Sequence, residues 1–137
     1  MEFASQEWVE KYMELLNNNP AYEEAAKTWE GDFIFIIRDN DKNIRRELYL
    51  DLWHGKARRG WAITDFDNPG VEPEFIYDGI EKSWRGLLAK QIHPIQGLMT
   101  GKFKLTGSMP KVMRAVKAAL ELVETTTKID CDFPDFS

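Results

Sequence analysis

Residues 31–77 constrain the fold most, because four strand-like runs follow one another there with only short breaks between them. The run at 32–38 is rich in β-branched and aromatic residues. The run at 44–53 alternates, with leucines at every second position on one face and mostly polar or aromatic side chains on the other. Such a period of two indicates a strand with one buried face. With two further runs at 58–64 and 73–77, the sequence predicts an antiparallel meander.

Two helices are predicted before the strands. Residues 5–18 carry apolar side chains at helical spacing, and Ser5 can cap the N-terminus of this helix. A shorter helix follows at 21–28. We expect the first helix to pack on the sheet, and the alternative is that it mediates a dimer contact.

The last third of the chain returns to helical spacing. Helices are predicted at 79–91 and 94–99, and an alternating run at 101–107 between two glycines predicts a fifth strand. Ser108 then caps a long final helix, which tolerates proline in its first turn. The apolar stripe of this helix is wider than a simple amphipathic helix needs.

Length and composition predict a single α+β domain over residues 1–137. With 43% hydrophobic and 30% charged residues, the chain is neither disordered nor membrane-embedded. The N-terminus lacks the basic start and apolar run of a signal peptide, and Cys131 is the only cysteine, so a cytoplasmic location is expected. In the polar C-terminal tail, Phe133 and Phe136 are the expected anchors.

A set of catalytic partners is not recognisable in the sequence. His54, His93 and Cys131 are not spaced as a metal site, and acidic neighbours disfavour a thiolate at Cys131. Asp51 with Asp65 or Asp67 is the strongest candidate for an acid/base pair, although solvated strand faces commonly carry such residues. The glycines match no phosphate-binding loop. We therefore expect a protein that is not an enzyme and that needs neither cofactor nor metal.

The positive charge is concentrated between Lys82 and Lys117, a span without aspartate or glutamate. The chain as a whole carries a net charge of −5, and no nucleic-acid-binding motif is present, so we expect no nucleic-acid partner. The span faces an anionic partner, or it is an ordinary solvated face balanced by acidic neighbours in the fold. Its basic residues are Lys82, Arg85, Lys90, Lys102, Lys104, Lys111, Arg114 and Lys117.

The segment from Gly97 to Met109, GLMTGKFKLTGSM, resembles the closing motif of the sterol carrier protein type 2 family. In that family a short helix leads to a Gly-Lys-hydrophobic-Lys-hydrophobic strand and then to the final helix. The preceding residues 84–88, WRGLL, resemble the helix after the fourth strand of the family. The resemblance implies a five-stranded, mainly antiparallel sheet covered on one face by helices, with an apolar tunnel between them. Because the chain ends at 134–137 without a peroxisomal address, unlike eukaryotic members, a sterol is not the default ligand.

The resemblance implies non-enzymatic binding and carriage of a fatty acid, an acyl chain or another lipid. The alternative is an accessory subunit of a lipid or isoprenoid pathway enzyme, with a filled core. For the carrier, the basic span would lie beside the tunnel mouth and contact an anionic membrane or head group. The sequence specifies neither the ligand nor the oligomeric state. The expected tunnel-lining residues are Trp84, Leu88, Leu98, Met99, Phe103, Leu105, Met109, Val112, Met113, Val116 and Leu120.

Overall fold

The computed structural model describes residues 1–133, and its frame is one five-stranded sheet. The strands lie in the order β3-β2-β1-β4-β5. Neighbouring strands are antiparallel except for β1 and β4, which are parallel. The strands are β1 (Glu30–Arg38), β2 (Ile44–Trp53), β3 (Lys56–Ala62), β4 (Phe75–Ile80) and β5 (Phe103–Thr106).

The predicted meander is right from β1 to β3 and wrong at β4. Instead of pairing with β3, the fourth strand pairs in parallel with β1 at the centre of the sheet. The connection from β3 to β4 therefore crosses one face of the sheet, which we call the back face. It carries Ile63, Phe66 and Val71, which pack against Ile34 and its neighbours there. The crossing is favoured because it buries apolar side chains on a face that none of the described helices covers.

The hairpin between β2 and β3 has a two-residue turn, His54-Gly55. His54 has φ +49° and Gly55 has φ +79°, so both residues are left-handed, as in the tight turn that matches strand twist. A Cβ atom on Gly55 would lie 2.7 Å from the backbone of Glu23. Both this close approach and the positive φ therefore require glycine at this position.

Six helices complete the described chain, and most of them cover the opposite, front face of the sheet. Ser5 caps the first, where its hydroxyl accepts a hydrogen bond from the Trp8 amide at 3.2 Å. His93 and Ser108 cap α4 and α5 in the same way. The helices are α1 (Gln6–Asn17), α2 (Pro20–Ala25), α3 (Glu81–Leu88), α4 (Pro94–Met99), α5 (Met109–Met113) and α6 (Val116–Thr126).

The final helix is not continuous, contrary to the prediction. It breaks between α5 and α6, where Ala115 has φ −107° and ψ +34°. In an unbroken helix, Val112 and Ala118 would point about 120° apart around the axis. The break turns both residues into the core, where each is buried.

Helix α1 packs on β3, as the sequence predicts, and supplies partners for its free edge. The side-chain amide of Asn17 accepts a hydrogen bond from Ala57 N at 2.8 Å and donates one to Ala57 O at 3.0 Å. At the other end, Gln6 accepts from Ala62 N at 2.8 Å. These contacts satisfy edge groups that would otherwise be open to another strand.

The C-terminal tail is described as far as Phe133. Its ring lies 4.9 Å from the ring of Phe3, centroid to centroid, and under the guanidinium of Arg85. Phe136 and the rest of 134–137 lie outside the described residues.

One buried acid on the back face makes the stability of the fold depend on pH. Glu47 is 4% exposed, and its Oε2 has no hydrogen-bond partner among the described residues. Burial raises the pKa of this carboxyl; nearby Arg38 lowers it, and Asp78 raises it again. Arg38 is itself held by Asp78 at 2.8 Å, which weakens its compensation of Glu47.

We expect the Glu47→Gln variant to gain stability relative to the wild type as the pH rises above the ordinary glutamate pKa. The folded protein holds the Glu47 proton more tightly than the unfolded chain does. This contribution is therefore fully present below the unfolded pKa and is lost as the pH rises through the raised folded pKa. Denaturant unfolding from acid to neutral pH measures the difference. Exposed Glu72→Gln is the control, and a pH-independent difference for Glu47→Gln would contradict the expectation.

Candidate functional site

An apolar cavity of about 100 Å³ lies between the front face of the sheet and the helices. Its wall is almost entirely hydrocarbon. The residues that line it are Phe3, Trp8, Tyr12, Phe33, Phe35, Leu48, Tyr77, Trp84, Leu87, Leu88, Pro94, Ile95, Val112, Ala119, Leu122, Val123 and Thr126.

The strands form the floor of this cavity. Alternation along β1 sends Phe33 and Phe35 to the front face, while Ile34 between them packs on the back. Leu48 of β2 is the register partner of Phe35, and Tyr77 of β4 is its partner on the other side. Because register partners share a face, three adjacent strands contribute to one apolar floor.

Helices α5 and α6 form the roof. Val112 of α5 and Ala119, Leu122 and Val123 of α6 line the cavity from above. Most side chains of α6 are partly or fully exposed, and only Ala118 and Thr125 of this helix are buried. Its apolar side chains are therefore shared between the cavity and the outer surface.

Three aromatic lining residues, Tyr12, Tyr77 and Trp84, bond backbone oxygens through their polar tips, whereas the buried Trp8 Nε1 has no hydrogen-bond partner among the described residues. The Tyr12 hydroxyl donates to Leu122 O at 2.7 Å, and the Tyr77 hydroxyl donates to Pro94 O at 2.8 Å. The Trp84 indole donates to Ile36 O at 2.9 Å. Burial raises the pKa of both tyrosine hydroxyls, so they stay protonated at physiological pH. These side chains therefore offer a ligand ring surface and no proton-transfer group.

A second, smaller cavity of about 40 Å³ adjoins the first. The two share four lining residues, Phe33, Val112, Ala119 and Leu122. The second cavity has its own wall of Tyr22, Trp29, Leu52, Ala115 and Ala118. Apolar space thus extends under both roof helices.

Three of the eleven residues expected to line a tunnel lie in the wall of the first cavity: Trp84, Leu88 and Val112. Leu98 and Phe103 are buried in the core, beyond either cavity wall. Three others are half-buried against the core, namely Leu105, Met109 and Val116.

Met99, Met113 and Leu120 correct the expectation, because all three side chains are exposed. Met99 is 68% exposed, and the other two are each 43% exposed. The apolar stripe read from the sequence covers more of the helix than the sheet can cover. Met113 and Leu120 fall on the outer part of that stripe, while Met99 is exposed at the end of α4, so none of the three lines the cavity.

Sequence reasoning missed the floor and the α1 side of the cavity. The signal for Phe33 and Phe35 was present in the alternation of β1, and Leu48 was already placed on a buried face. For Trp8 and Tyr12, helical spacing indicated a buried stripe but not which part of the core it meets.

The residues considered for catalysis have structural partners. Asp51 is buried on the back face and is held by Arg58 at 3.1 Å and Arg59 at 3.3 Å. Asp65 and Asp67, its proposed partners, are exposed in the crossing connection. Within residues 1–133, no group of three or more histidine, cysteine, aspartate or glutamate side chains is placed to hold a metal ion.

The two histidines also have structural partners, and the cysteine thiol is in its less reactive form. His54 Nε2 lies 2.5 Å from Glu30 Oε2 at the hairpin tip, and His93 caps α4. Burial raises the pKa of the Cys131 thiol, which keeps it in its less reactive form.

We expect Val123→Phe to occupy the first cavity and to weaken the binding of an apolar fluorescent probe by about tenfold or more. Val123 is half-buried and lines only the first cavity, so a larger ring there displaces ligand volume. Fluorescence titration measures the affinity, and thermal unfolding checks that the variant remains folded.

Leu120→Phe is the matched control, because this exposed residue lies three positions earlier in the same helix. It should leave probe binding unchanged. Equal losses in the two variants would show that the probe binds the outer surface of α6.

The model of the SCP-2 sterol transfer family matches residues 9–120 of the chain. The comparison with curated protein sequences gives no match.

Solved structures share the whole architecture. A crystal structure of sterol carrier protein 2 is 28% identical and covers 94% of this chain and 100% of its own, with a TM-score of 0.81. A conserved hypothetical protein from Thermus thermophilus, described as possibly a sterol carrier protein, is 27% identical; the alignment covers 100% of this chain and 95% of that one, with a TM-score of 0.82. The apo form of sterol carrier protein 2 from Yarrowia lipolytica shares the fold at 18% identity, covering 88% and 89%, with a TM-score of 0.55.

Proposed function

The chain belongs to the SCP-2 sterol transfer family, and from that premise we propose that it binds and carries a lipid, such as a fatty acid or another acyl-chain lipid, in the cavity beneath α5 and α6. The observation that carries the proposal is the chemistry of the cavity wall. Its rings and aliphatic side chains are turned inward, while the polar tips of Tyr12, Tyr77 and Trp84 are satisfied by the backbone. Such a wall favours hydrocarbon and discriminates little by hydrogen bonding.

Burial of the chain would supply the affinity. Each CH₂ group removed from water contributes about 0.8 kcal/mol, so a ten-carbon stretch contributes roughly 8 kcal/mol before the costs of ordering. The cavity volume of about 100 Å³ is below the roughly 300 Å³ at which ligand pockets begin. Binding a whole acyl chain would therefore require the roof to move outward.

At its α5 end the roof is tied to the sheet by Lys111, whose ammonium donates to Glu30 O at 2.6 Å and to Glu74 Oε2 at 2.8 Å, so movement there has to break these bonds. Gly107, with φ +115°, precedes α5, and the start of α6 has no side-chain cap. The far end of α6 is fixed, because Tyr12 bonds Leu122 O and Asn19 bonds the buried Thr125 hydroxyl at 2.9 Å. We infer that α5 and the first turn of α6 lift while the end of α6 stays in place.

Carriage without catalysis is part of the proposal. The protonated Cys131 thiol and the Arg-paired Asp51 support it, since neither is poised as a nucleophile or base. The family match and the open space beneath the roof support a carrier over the accessory subunit with a filled core. We place its action in the cytoplasm on the ground of its single cysteine. In the described part of the chain, no helix combines the length and the apolar character needed to cross a membrane.

Native mass spectrometry of the freshly purified protein, with analysis of its organic extract, tests the proposed function. We expect a lipid-sized adduct on the wild type and its loss in the Val123→Phe variant. The bare mass alone, together with no uptake of added fatty acid, would overturn the proposal.

We also propose that the roof contacts anionic membranes while the ligand is exchanged. Of the basic residues between Lys82 and Lys117, three have acidic partners: Arg85 with Glu81, Lys90 with Glu124, and Lys111 with Glu74. The other five have no ion pair within residues 1–133; they are Lys82, Lys102, Lys104, Arg114 and Lys117.

Exposed apolar side chains accompany these cations. Met113 and Leu120 flank Arg114 and Lys117 along the roof, so this surface combines hydrocarbon with unpaired positive charge. That combination favours the interface of an anionic bilayer. It also gives a role to the side chains that the sequence analysis expected inside the tunnel.

The double change Arg114→Gln/Lys117→Gln should weaken binding to phosphatidylserine-containing vesicles at low salt by roughly thirtyfold, at about 1 kcal/mol for each charge. Wild-type binding should fall at ~0.5 M salt, where screening shortens the Debye length. Vesicle co-sedimentation measures both effects.

The control is Lys27→Gln/Lys42→Gln, which removes the same charge from the end of α2 and from the β1–β2 turn. If the two double variants bind equally, net charge and not the roof surface drives membrane binding.

A further inference from the structure

We propose that the two cavities are compartments of one channel, and that the smaller compartment receives the methyl end of a linear acyl chain. This inference rests on the proposed function. It adds the location of the methyl end and a residue set that limits chain length.

Continuity between the compartments follows from their shared wall. Phe33 of the floor and Val112, Ala119 and Leu122 of the roof face both cavities. The partition therefore consists of one floor side chain opposed to residues of the two roof helices. A roof that lifts at α5 removes Val112 from the partition and joins the two spaces.

The smaller compartment has a rigid end wall. Tyr22 and Leu52 are each 1% exposed, which closes the compartment behind them. Trp29 is held in place because its indole donates to Gly31 O at 3.1 Å and its ring lies 5.8 Å from Phe33 and 5.4 Å from Phe75. A chain end that reaches this wall cannot advance further.

The shape favours a flexible ligand over a fused-ring one. The two cavities, of about 100 Å³ and 40 Å³, are separated by a partition and do not form a single open space. A linear acyl chain can follow such a path by rotation about its single bonds, whereas a rigid sterol nucleus cannot bend past Phe33. Because the end wall is fixed, the channel should distinguish acyl chains by length.

Binding of saturated fatty acids from octanoate to stearate tests this inference. For the wild type, we expect affinity to rise about fourfold per CH₂ and to level off once the chain reaches the end wall. Ala118 and Leu52 line only the smaller compartment. Ala118→Leu should move the plateau about three carbons shorter, and Leu52→Ala should move it longer.

Opposite shifts in the two variants separate a wall effect from a general loss of stability. Ala21→Leu, an exposed change in α2, is the control and should leave the plateau in place. If wild-type affinity rises with chain length but neither variant moves the plateau, the inference is overturned and the proposed function stays intact. Absence of fatty-acid binding by the wild type would overturn both.

A second measurement locates the methyl end by tryptophan fluorescence. A long fatty acid brominated at its terminal carbon should quench Trp29, and a short one should not, since Trp8 and Trp84 line the larger compartment and Trp29 the smaller. The Trp29→Phe variant should therefore lose the additional quenching caused by the long chain. Equal additional quenching with and without Trp29 would show that the methyl end lies elsewhere.

Discussion

The ring contacts of Phe33 are the interaction on which floor, roof and end wall all depend. Its ring lies 5.1 Å from that of Phe35 along the same strand, 5.0 Å from Phe75 on β4, and 5.8 Å from Trp29. These near-parallel rings join the central parallel strand pair to the wall of the smaller cavity. The same side chain faces both cavities, so the position of β1 sets the depth of the floor for both of them.

The hydrogen bonds behind the rings explain how an interior with so many aromatic side chains can still be apolar. Tyr12, Tyr77 and Trp84 each bond a backbone oxygen of another element. Each bond stabilises the packing of a helix or loop, and it also removes a polar group from the cavity surface. The same residues therefore stabilise the fold and keep the cavity wall apolar.

The incomplete burial of α6 costs stability but leaves open space beneath the roof. Full burial of α6 would stabilise the fold further, because Leu120 and the half-buried Leu122 and Val123 leave apolar surface uncovered. Full burial would also fill the space beneath it. Helix α6 is fixed near its end by the bonds of Tyr12 and Asn19, and its start has no side-chain cap.

The sequence by itself determined the local elements. Alternation located the strands, Ser5 and Ser108 marked helix starts, and residues 94–99 form the helix that was expected there. The motif at 97–109 indicated the family, and the family match and the fold confirm it. These features depend on neighbours within a few residues, which is why spacing and residue type suffice to predict them.

Only the tertiary structure decided how these elements meet. It placed β4 parallel to β1, broke the last helix at Ala115, and turned Met113 and Leu120 outward. Periodicity shows which residues share a face, but it does not show which other element covers that face. That depends on contacts between residues far apart in the chain, such as Tyr12 with Leu122, whose combined packing sets the shape of the cavity.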